Sequence, residues 1–141
     1  MTEIDFSANN CFVCGPDNPI GLKIKFTIDD DDICRGRFTS MENHVGYQNT
    51  THGGIIFSLL DDVMANWLFL KNQVAQTAQC DLRYRQALPV NEPVILEGWC
   101  EKQRSRVAFM KGQVILASNS TIVAESSAKF MLLKDLSLIH I

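Results

Sequence analysis

Residues 49–69 read NTTHGGIIFSLLDDVMANWLF, and this stretch decides the fold of the chain. A histidine and two glycines stand directly before a long apolar run, and two adjacent acids, Asp61 and Asp62, interrupt that run. Glycine is a poor helix former, and burying a carboxylate is costly unless it is paired. Because sequences tend to break such local rules at functional sites, the segment is a candidate site as well as a structural element.

Residues 53–70 have the apolar periodicity of an α-helix. At about 100° per residue, one face carries Ile56, Leu59, Leu60, Val63 and Trp67. Apolar residues also lie on both flanks: Phe57, Met64 and Leu68 on one, and Ile55 and Phe69 towards the other. A helix that is apolar nearly all round is a buried helix. We therefore expect a sheet wrapped around it, with Asp61 on the flank of Phe57 in apolar surroundings.

The segments on either side of this helix have the alternation and the turn signals of β-strands. Before it, residues 22–29 alternate apolar and polar side chains, and residues 33–39 can return as the second arm of a hairpin. After it come four long β-type segments at 78–87, 93–103, 106–118 and 121–133. The last two are expected to form an antiparallel hairpin. One long helix with five or six strands predicts an α+β fold with an antiparallel sheet.

Composition and length are those of one globular domain spanning residues 1–141, with an irregular lead-in over 1–20. Hydrophobic residues make up 46% of the chain and charged residues 21%, which is too apolar for disorder. A net charge of -3 offers nucleic acid no basic surface. No signal peptide and no membrane-spanning run are apparent. Five cysteines, an odd number, then indicate reduced thiols in a cytoplasmic protein.

The chain resembles the hotdog-fold thioesterase superfamily, in particular its PaaI-like acyl-CoA thioesterases. The pattern in that family is H-G-G, then six residues, then an acid on the central helix; here His52, Gly53 and Gly54 are followed by IIFSLL and Asp61. The segments CFVCGPDNPIGLKIKF and TAQCDLRYRQALPV are also similar to family members, so the resemblance covers roughly residues 11–133. It implies an antiparallel sheet wrapped around one long central helix. It also implies a homodimer, or a dimer of dimers, with active sites between subunits.

The activity that the resemblance implies is hydrolysis of acyl-CoA thioesters to free acid and coenzyme A, without a metal or redox cofactor. Asp61 would be the nucleophile or general base, supplied from the facing subunit; a surface acid is the alternative, but the helix has hardly any polar stripe. Gly53, with Gly54 second, would offer backbone N–H groups to the substrate carbonyl, or else only allow close packing. His52 would position that carbonyl or cap the helix. Thr77, sixteen residues beyond Asp61, would position the water or be an ordinary strand residue.

Coenzyme A phosphates would bind basic residues near the turns of later strands. The segment EKQRSR offers Lys102, Arg104 and Arg106 at such a turn, and arginine suits phosphate well. A solvated turn is the alternative meaning of any charge cluster.

The chain departs from the family at one point. Many members carry Asn or Gln six or seven residues before the H-G-G, where this chain has Val45 and Gly46. His44, Gln48 or Asn49 could substitute, although asparagine also stands where the backbone turns left-handed.

Two further features are interpreted structurally. Cys11 and Cys14 form a C-x-x-C motif, which alone is a weak signal for zinc, so structural thiols are favoured and no metal site is predicted. Asp62 lies about 100° further round the helix than Asp61 and is expected to be a solvated or hydrogen-bonded neighbour.

Two other functions stay open at this point. A hotdog hydratase or dehydratase acting on acyl chains needs a proton-shuttling His–acid pair, which His52 and Asp61 could form. A non-catalytic acyl-CoA-binding module is the second, because the upstream amide is missing. The sequence does not reveal the acyl chain preference.

Overall fold

The computed structural model describes residues 7–133, which form one α-helix and a six-stranded antiparallel sheet. In chain order the elements are β1 (Thr27–Ile28), β2 (Cys34–Thr39), a short 3-10 helix (Glu42–His44), α1 (Gly53–Phe69), β3 (Ala75–Tyr84), β4 (Pro93–Arg104), β5 (Val107–Leu116) and β6 (Ile122–Leu132). The strand order is β1-β2-β4-β5-β6-β3. The predicted α+β class is confirmed, and β5 and β6 form the predicted hairpin.

The helix α1 packs closely against a row of small residues that crosses the sheet. Cys34, Gly98, Gly112 and Ser126 are in register across β2, β4, β5 and β6. A Cβ atom at Gly98 would lie 2.7 Å from the carbonyl oxygen of Val63, so only glycine allows the helix to approach this strand so closely. The predicted inner face of the helix is buried: Ile56, Leu59, Leu60, Val63 and Trp67. This contact fixes the rotation of α1 about its axis.

One side of α1 is left uncovered by the chain's own sheet. Phe57 is 40% exposed, and Asp61 on the same flank is half-buried. Phe69, towards the other flank, is 39% exposed. The expectation of a helix buried all round is therefore wrong for this side within a single chain. The edge strand β3 is also largely exposed, and its one neighbour within residues 7–133 is β6.

The strand predicted at residues 22–29 is wrong for most of its length. Only Thr27–Ile28 pairs with β2. The Leu22 N–H instead donates to the Phe12 carbonyl at 2.8 Å, and the Ile24 N–H donates to the Val13 carbonyl at 2.9 Å. The alternation therefore reflects packing of this segment against the lead-in and not pairing in the sheet.

The remaining boundaries lie close to the predicted ones. The start of β4 is as predicted, and its end and both ends of β5 and β6 differ from the prediction by one or two residues. By contrast, β3 begins and ends three residues earlier than predicted. Residues 7–26, which include residues 7–20 of the predicted lead-in, form no helix or strand. Residues 1–6 of the lead-in lie outside the described range. No helix within residues 7–133 is long and apolar enough to cross a membrane.

Candidate active site

The first turn of α1 leaves one backbone N–H without an acceptor. The N–H groups of Ile55 and Ile56 both donate to the His52 carbonyl, at 3.0 and 3.2 Å. The Gly54 N–H donates to Nδ1 of the His52 ring at 2.7 Å. The Gly53 N–H has no acceptor among residues 7–133. Because the positive end of the helix dipole lies here, Gly53 is the position at which this turn can bind a carbonyl oxygen.

His52 is the N-cap residue of α1. Its Nδ1 accepts the Gly54 N–H, so a neutral ring carries its proton on Nε2. In this tautomer Nε2 donates a hydrogen bond and cannot take up a proton. The capping role considered from the sequence is thus present, and it leaves Nε2 able to hydrogen-bond a substrate.

The two glycines of the motif are glycine for different reasons. A Cβ atom at Gly54 would lie 3.0 Å from Nδ1 of His52, so a side chain there would press on the capping ring. A Cβ atom at Gly53 would meet Tyr84 at 3.5 Å, which is ordinary van der Waals contact. Neither glycine has a positive φ angle. Packing within the described residues therefore accounts for Gly54, whereas it does not require glycine at position 53.

Asp61 is hydrogen-bonded to Thr77 on the open side of α1. Thr77 Oγ1 donates to Asp61 Oδ1 at 2.6 Å. The pairing of β3 with β6 is irregular between Thr77 and Gln79, and such a bulge can redirect a side chain. Thr77 is exposed and Asp61 is half-buried. The structure thus brings these two predicted site residues together, although the Thr77 hydroxyl contacts the carboxylate itself, and it leaves the carboxylate accessible.

Asp61 and Gly53 of one chain do not converge on a single point. They are eight residues apart on α1, which corresponds to about 12 Å along a helix. A thioester carbonyl group is much smaller than this distance. One thioester carbonyl therefore cannot contact both groups of the same chain.

Tyr84 is a candidate site residue that sequence reasoning missed. It ends β3, and its hydroxyl donates to the Gly53 carbonyl at 2.8 Å. Burial and the nearby Cys80 raise the pKa of Tyr84, which keeps the phenol protonated and able to donate. An aromatic residue at the end of a strand was the available signal, but its meaning depends on β3 passing beside the start of the helix.

The three predicted phosphate-binding residues lie at the turn between β4 and β5. Lys102, Arg104 and Arg106 are exposed, and none of them forms an ion pair with an acid in the described part of the chain. The turn is at the end of the sheet where β3 begins, because Thr77 and Gln103 lie in one row across the four strands. Three inter-strand spacings separate these two residues, about 14 Å.

The residues considered as substitutes for the upstream amide are mostly engaged elsewhere. His44 Nδ1 accepts the Met41 N–H at 2.9 Å. Asn49 has a φ angle of 62°, and its carbonyl accepts the Val90 N–H at 3.0 Å, so it serves the left-handed turn. Gln48 is exposed, and its side-chain amide has no hydrogen bond within residues 7–133.

Asp62 points away from Asp61, towards the lead-in. Cys11 Sγ donates to Asp62 Oδ1 at 3.6 Å, and Asn66 Nδ2 donates to Asp62 Oδ2 at 3.0 Å. Burial raises the pKa of this carboxyl group. Asp62 is thus hydrogen-bonded to residues other than Asp61, and it is not a second acid on the open side.

The motif residues all fall within one family match. The thioesterase superfamily matches residues 48–123, which is more than half of the chain and includes both the H-G-G motif and the Asp61–Thr77 pair. The chain belongs to the thioesterase superfamily. No curated protein matches it significantly.

Solved structures of this superfamily share the fold. A thioesterase superfamily protein has a TM-score of 0.82 at 24% identity, over 93% of this chain and 66% of its own, so this chain spans just under two thirds of it. A hypothetical thioesterase from Streptococcus pneumoniae TIGR4 with coenzyme A has a TM-score of 0.71 at 15% identity, over 77% and 87%. The PaaI protein of E. coli, from the phenylacetic acid degradation operon, has a TM-score of 0.72 at 16% identity, over 79% and 80%.

These likenesses confirm the hotdog fold and the resemblance to PaaI. Two more structures of the Streptococcus pneumoniae thioesterase carry alanine in place of an aspartate and of a threonine sixteen positions further on.

Proposed function

We propose that this protein hydrolyses acyl-CoA thioesters to the free acid and coenzyme A. The observation that carries the proposal is the hydrogen bond of 2.6 Å between Thr77 and Asp61 on the open side of α1. These residues are sixteen positions apart, the same spacing as the aspartate and threonine replaced in the Streptococcus pneumoniae thioesterase. That protein was also solved with coenzyme A.

The start of α1 would stabilise the negative charge that develops on the thioester oxygen. The Gly53 N–H is unpaired within residues 7–133, and the helix dipole adds to its effect. Nε2 of His52 supplies a second donor in the tautomer that its cap requires. One donor of this kind is worth about 10²–10³-fold in rate.

Asp61 would provide the attacking group. As a nucleophile, its carboxylate adds to the carbonyl carbon, the C–S bond breaks, and water then hydrolyses the acyl-enzyme anhydride. As a general base, it takes a proton from a water that adds directly. In both routes one water is consumed, its oxygen ends in the free acid, and the thiolate that leaves takes up the proton which that water releases. Thr77 orients the carboxylate in either case, since its hydroxyl occupies Oδ1.

The reacting groups would come from two subunits of a homodimer. Since Gly53 and Asp61 of one chain are about 12 Å apart along the helix, we assign Asp61 of one subunit to the Gly53 of its partner. Two surfaces of the chain support this arrangement: the exposed flank of α1 around Phe57 and the largely exposed strand β3. A dimer of dimers is compatible with the same pairing.

The basic turn between β4 and β5 would bind the phosphates of coenzyme A. We expect Arg104→Gln combined with Arg106→Gln to raise KM by roughly five- to tenfold with kcat little changed, as for the loss of two exposed ionic contacts. Arg37→Gln is the matched control, because Arg37 is an exposed arginine on β2. An equal rise in KM for this control would remove the assignment.

Steady-state release of coenzyme A is the test of the proposed function. Acyl-CoAs from acetyl to palmitoyl, with an aryl-CoA, are incubated with the protein, and coenzyme A and the free acid are both quantified by chromatography. Chromatography is preferable to a thiol reagent here, because the five cysteines of the protein would react as well. The proposal predicts equal amounts of acid and coenzyme A for at least one substrate.

Two outcomes of this assay would favour the other functions. Hydration of an enoyl-CoA without release of coenzyme A would indicate a hydratase, although the cap that occupies Nδ1 of His52 counts against a histidine base. Saturable binding of acyl-CoA without turnover of any substrate would indicate a binding module.

A further inference from the structure

The fold brings Asp62 to the C-x-x-C motif, from which it is separated by about fifty residues in the chain. The ligand atoms of Cys11, Cys14 and Asp62 all lie within 4.8 Å of one another. In a tetrahedral zinc site with bonds of about 2.0–2.3 Å, two ligand atoms are roughly 3.5–3.8 Å apart. The three groups therefore need to move by about an ångström or less to share one ion.

The loop that carries the two cysteines is shaped around the first sulfur. The Cys14 N–H donates to Cys11 Sγ at 3.4 Å, and the Gly15 N–H donates to the Cys11 carbonyl at 2.9 Å. A Cβ atom at Gly15 would lie 2.3 Å from the Cys11 nitrogen, so this tight turn requires glycine. The Cys14 N–H and the glycine turn together hold Cys11 Sγ on the side of the loop that faces Asp62.

Asn66 orients the other two ligands. It lies one turn beyond Asp62 on α1 and is buried. Its Nδ2 is 3.0 Å from Asp62 Oδ2, 2.9 Å from the Asp62 carbonyl oxygen and 3.9 Å from Cys14 Sγ. A donor to both a carboxylate and a sulfur is the outer partner that holds metal ligands in place.

No cationic side chain in the described part of the chain pairs with Asp62. Within residues 7–133 the ion pairs are made by Arg35, Lys71 and Arg85, and none of them includes Asp62. Asp62 is half-buried beside two sulfur atoms, and a positive charge next to a partly buried carboxylate stabilises it. A divalent ion bound with the two thiolates would supply that charge.

We propose that Cys11, Cys14 and Asp62 bind one zinc-class divalent ion, which links the N-terminal lead-in to the side of α1 that carries Asp62. Two thiolates and a carboxylate form a donor set that suits zinc. The fourth position is open to water or an exogenous ligand, because a groove of about 350 Å³ lined in part by Cys14 and Asn66 reaches the cluster. The C-x-x-C motif alone did not predict this site, since its third ligand lies on the central helix.

Metal analysis and cobalt spectroscopy test this site. The full chain is purified under reducing conditions without a metal-binding tag, its metal content is measured, and the chelator-treated protein is titrated with Co²⁺. We expect about one zinc or one cobalt per chain, with thiolate-to-cobalt charge-transfer bands and the intense visible bands of tetrahedral cobalt. A folded wild-type protein that gives neither would overturn the proposal, independently of any variant.

Substitutions then identify the ligands. Cys14→Ser and Asp62→Asn should each weaken Co²⁺ binding at least about tenfold, and Asn66→Ala by about 10–100-fold, as for loss of an outer partner. Cys100→Ser and Asp61→Asn are the matched controls, a thiol and an acid outside the cluster, and should leave the affinity unchanged. Equal binding by Cys14→Ser and wild type would overturn the assignment. So would a Cys11–Cys14 disulfide in the freshly purified protein.

Discussion

Asp61 and Asp62 are neighbours in the chain, but they belong to two different parts of the molecule. Asp61 lies on the open side of α1, where one hydroxyl of β3 holds it and the carboxylate stays half-buried. Asp62 lies about 100° round the helix, beneath the lead-in, among two thiols and the Asn66 amide. The same residue type, half-buried at both positions, thus faces the open side of the helix at one and the two thiols of the lead-in at the other.

This difference shows that the way the helix packs on the sheet determines the surroundings of each acid. The rotation of α1 is fixed where the Val63 carbonyl packs against Gly98. That rotation directs Asp61 to the open side of α1, where it meets Thr77, and it directs Asp62 towards Cys11 and Cys14. Five substitutions test this difference between the surroundings of Asp61 and Asp62, and they are ordered from the largest expected effect to the smallest.

Asp61→Asn should reduce kcat for acyl-CoA hydrolysis by about 10²–10⁴-fold, the range for loss of a positioned acid–base group. Acyl-CoA binding, measured by calorimetry, should persist, because the amide has nearly the same shape as the carboxylate. Retention of more than a tenth of the wild-type kcat would contradict the role of Asp61.

Gly53→Ala should lower kcat/KM by about 10²-fold, because a methyl group would displace the carbonyl from the helix start. The same change should raise the free energy of unfolding by about 0.4–1 kcal/mol, since its Cβ meets only Tyr84 at 3.5 Å and its φ angle is not positive. Steady-state kinetics and urea unfolding, measured on one preparation, test the two expectations. Unchanged activity would show that the carbonyl binds elsewhere.

Thr77→Val should lower kcat by about 10–100-fold, which corresponds to the loss of a hydrogen bond to a charged group. Thr77→Ser is the matched control, because it keeps the hydroxyl that donates to Asp61. Equal rates for the valine and serine variants would mean that the hydroxyl does not act in the reaction.

Gly98→Ala should lower the free energy of unfolding by about 1–3 kcal/mol, the cost of an extra methyl group in a packed interior. Its Cβ would lie 2.7 Å from the Val63 carbonyl oxygen, whereas a Cβ at Gly46 finds its nearest atom at 3.4 Å. Gly46→Ala is therefore the control, with an expected change within about 0.5 kcal/mol. Equal urea midpoints for the two variants would argue against close packing of α1 on Gly98.

Asp62→Asn should have the smallest effect on turnover, within roughly threefold of the wild-type kcat. This variant is the sharpest comparison for Asp61→Asn, because the same chemical change is made one residue away. If both variants lost activity equally in the same assay, Asp61 and Asp62 would not have the different roles described above.

The sequence predicted the arrangement of the candidate residues best where spacing carries the information. Six residues separate the H-G-G motif from Asp61, and sixteen positions separate Asp61 from Thr77. Both spacings stay within one helix and the strand that follows it. The helix and the four later strands were also predictable, because long periodic segments leave few alternatives.

The sequence failed where a feature depends on contacts distant in the chain. The alternation over residues 22–29 predicted a strand, but the hydrogen bonds of Leu22 and Ile24 go to the lead-in. Tyr84 reaches the helix start through the path of β3. The proximity of Asp62 to Cys11 likewise arises from the fold, because a motif search reads only neighbouring positions.

A crystal structure with a non-hydrolysable acyl-CoA analogue, with a methylene between sulfur and carbonyl, tests the central claim most directly. The account predicts the carbonyl oxygen within hydrogen-bonding distance of the Gly53 N–H of one subunit. It also predicts the carbonyl carbon about 3–3.5 Å from the Asp61 carboxylate of the other, or one water away. A carbonyl bound beyond the reach of a water from Asp61, or a helix start that contacts no part of the ligand, would contradict it.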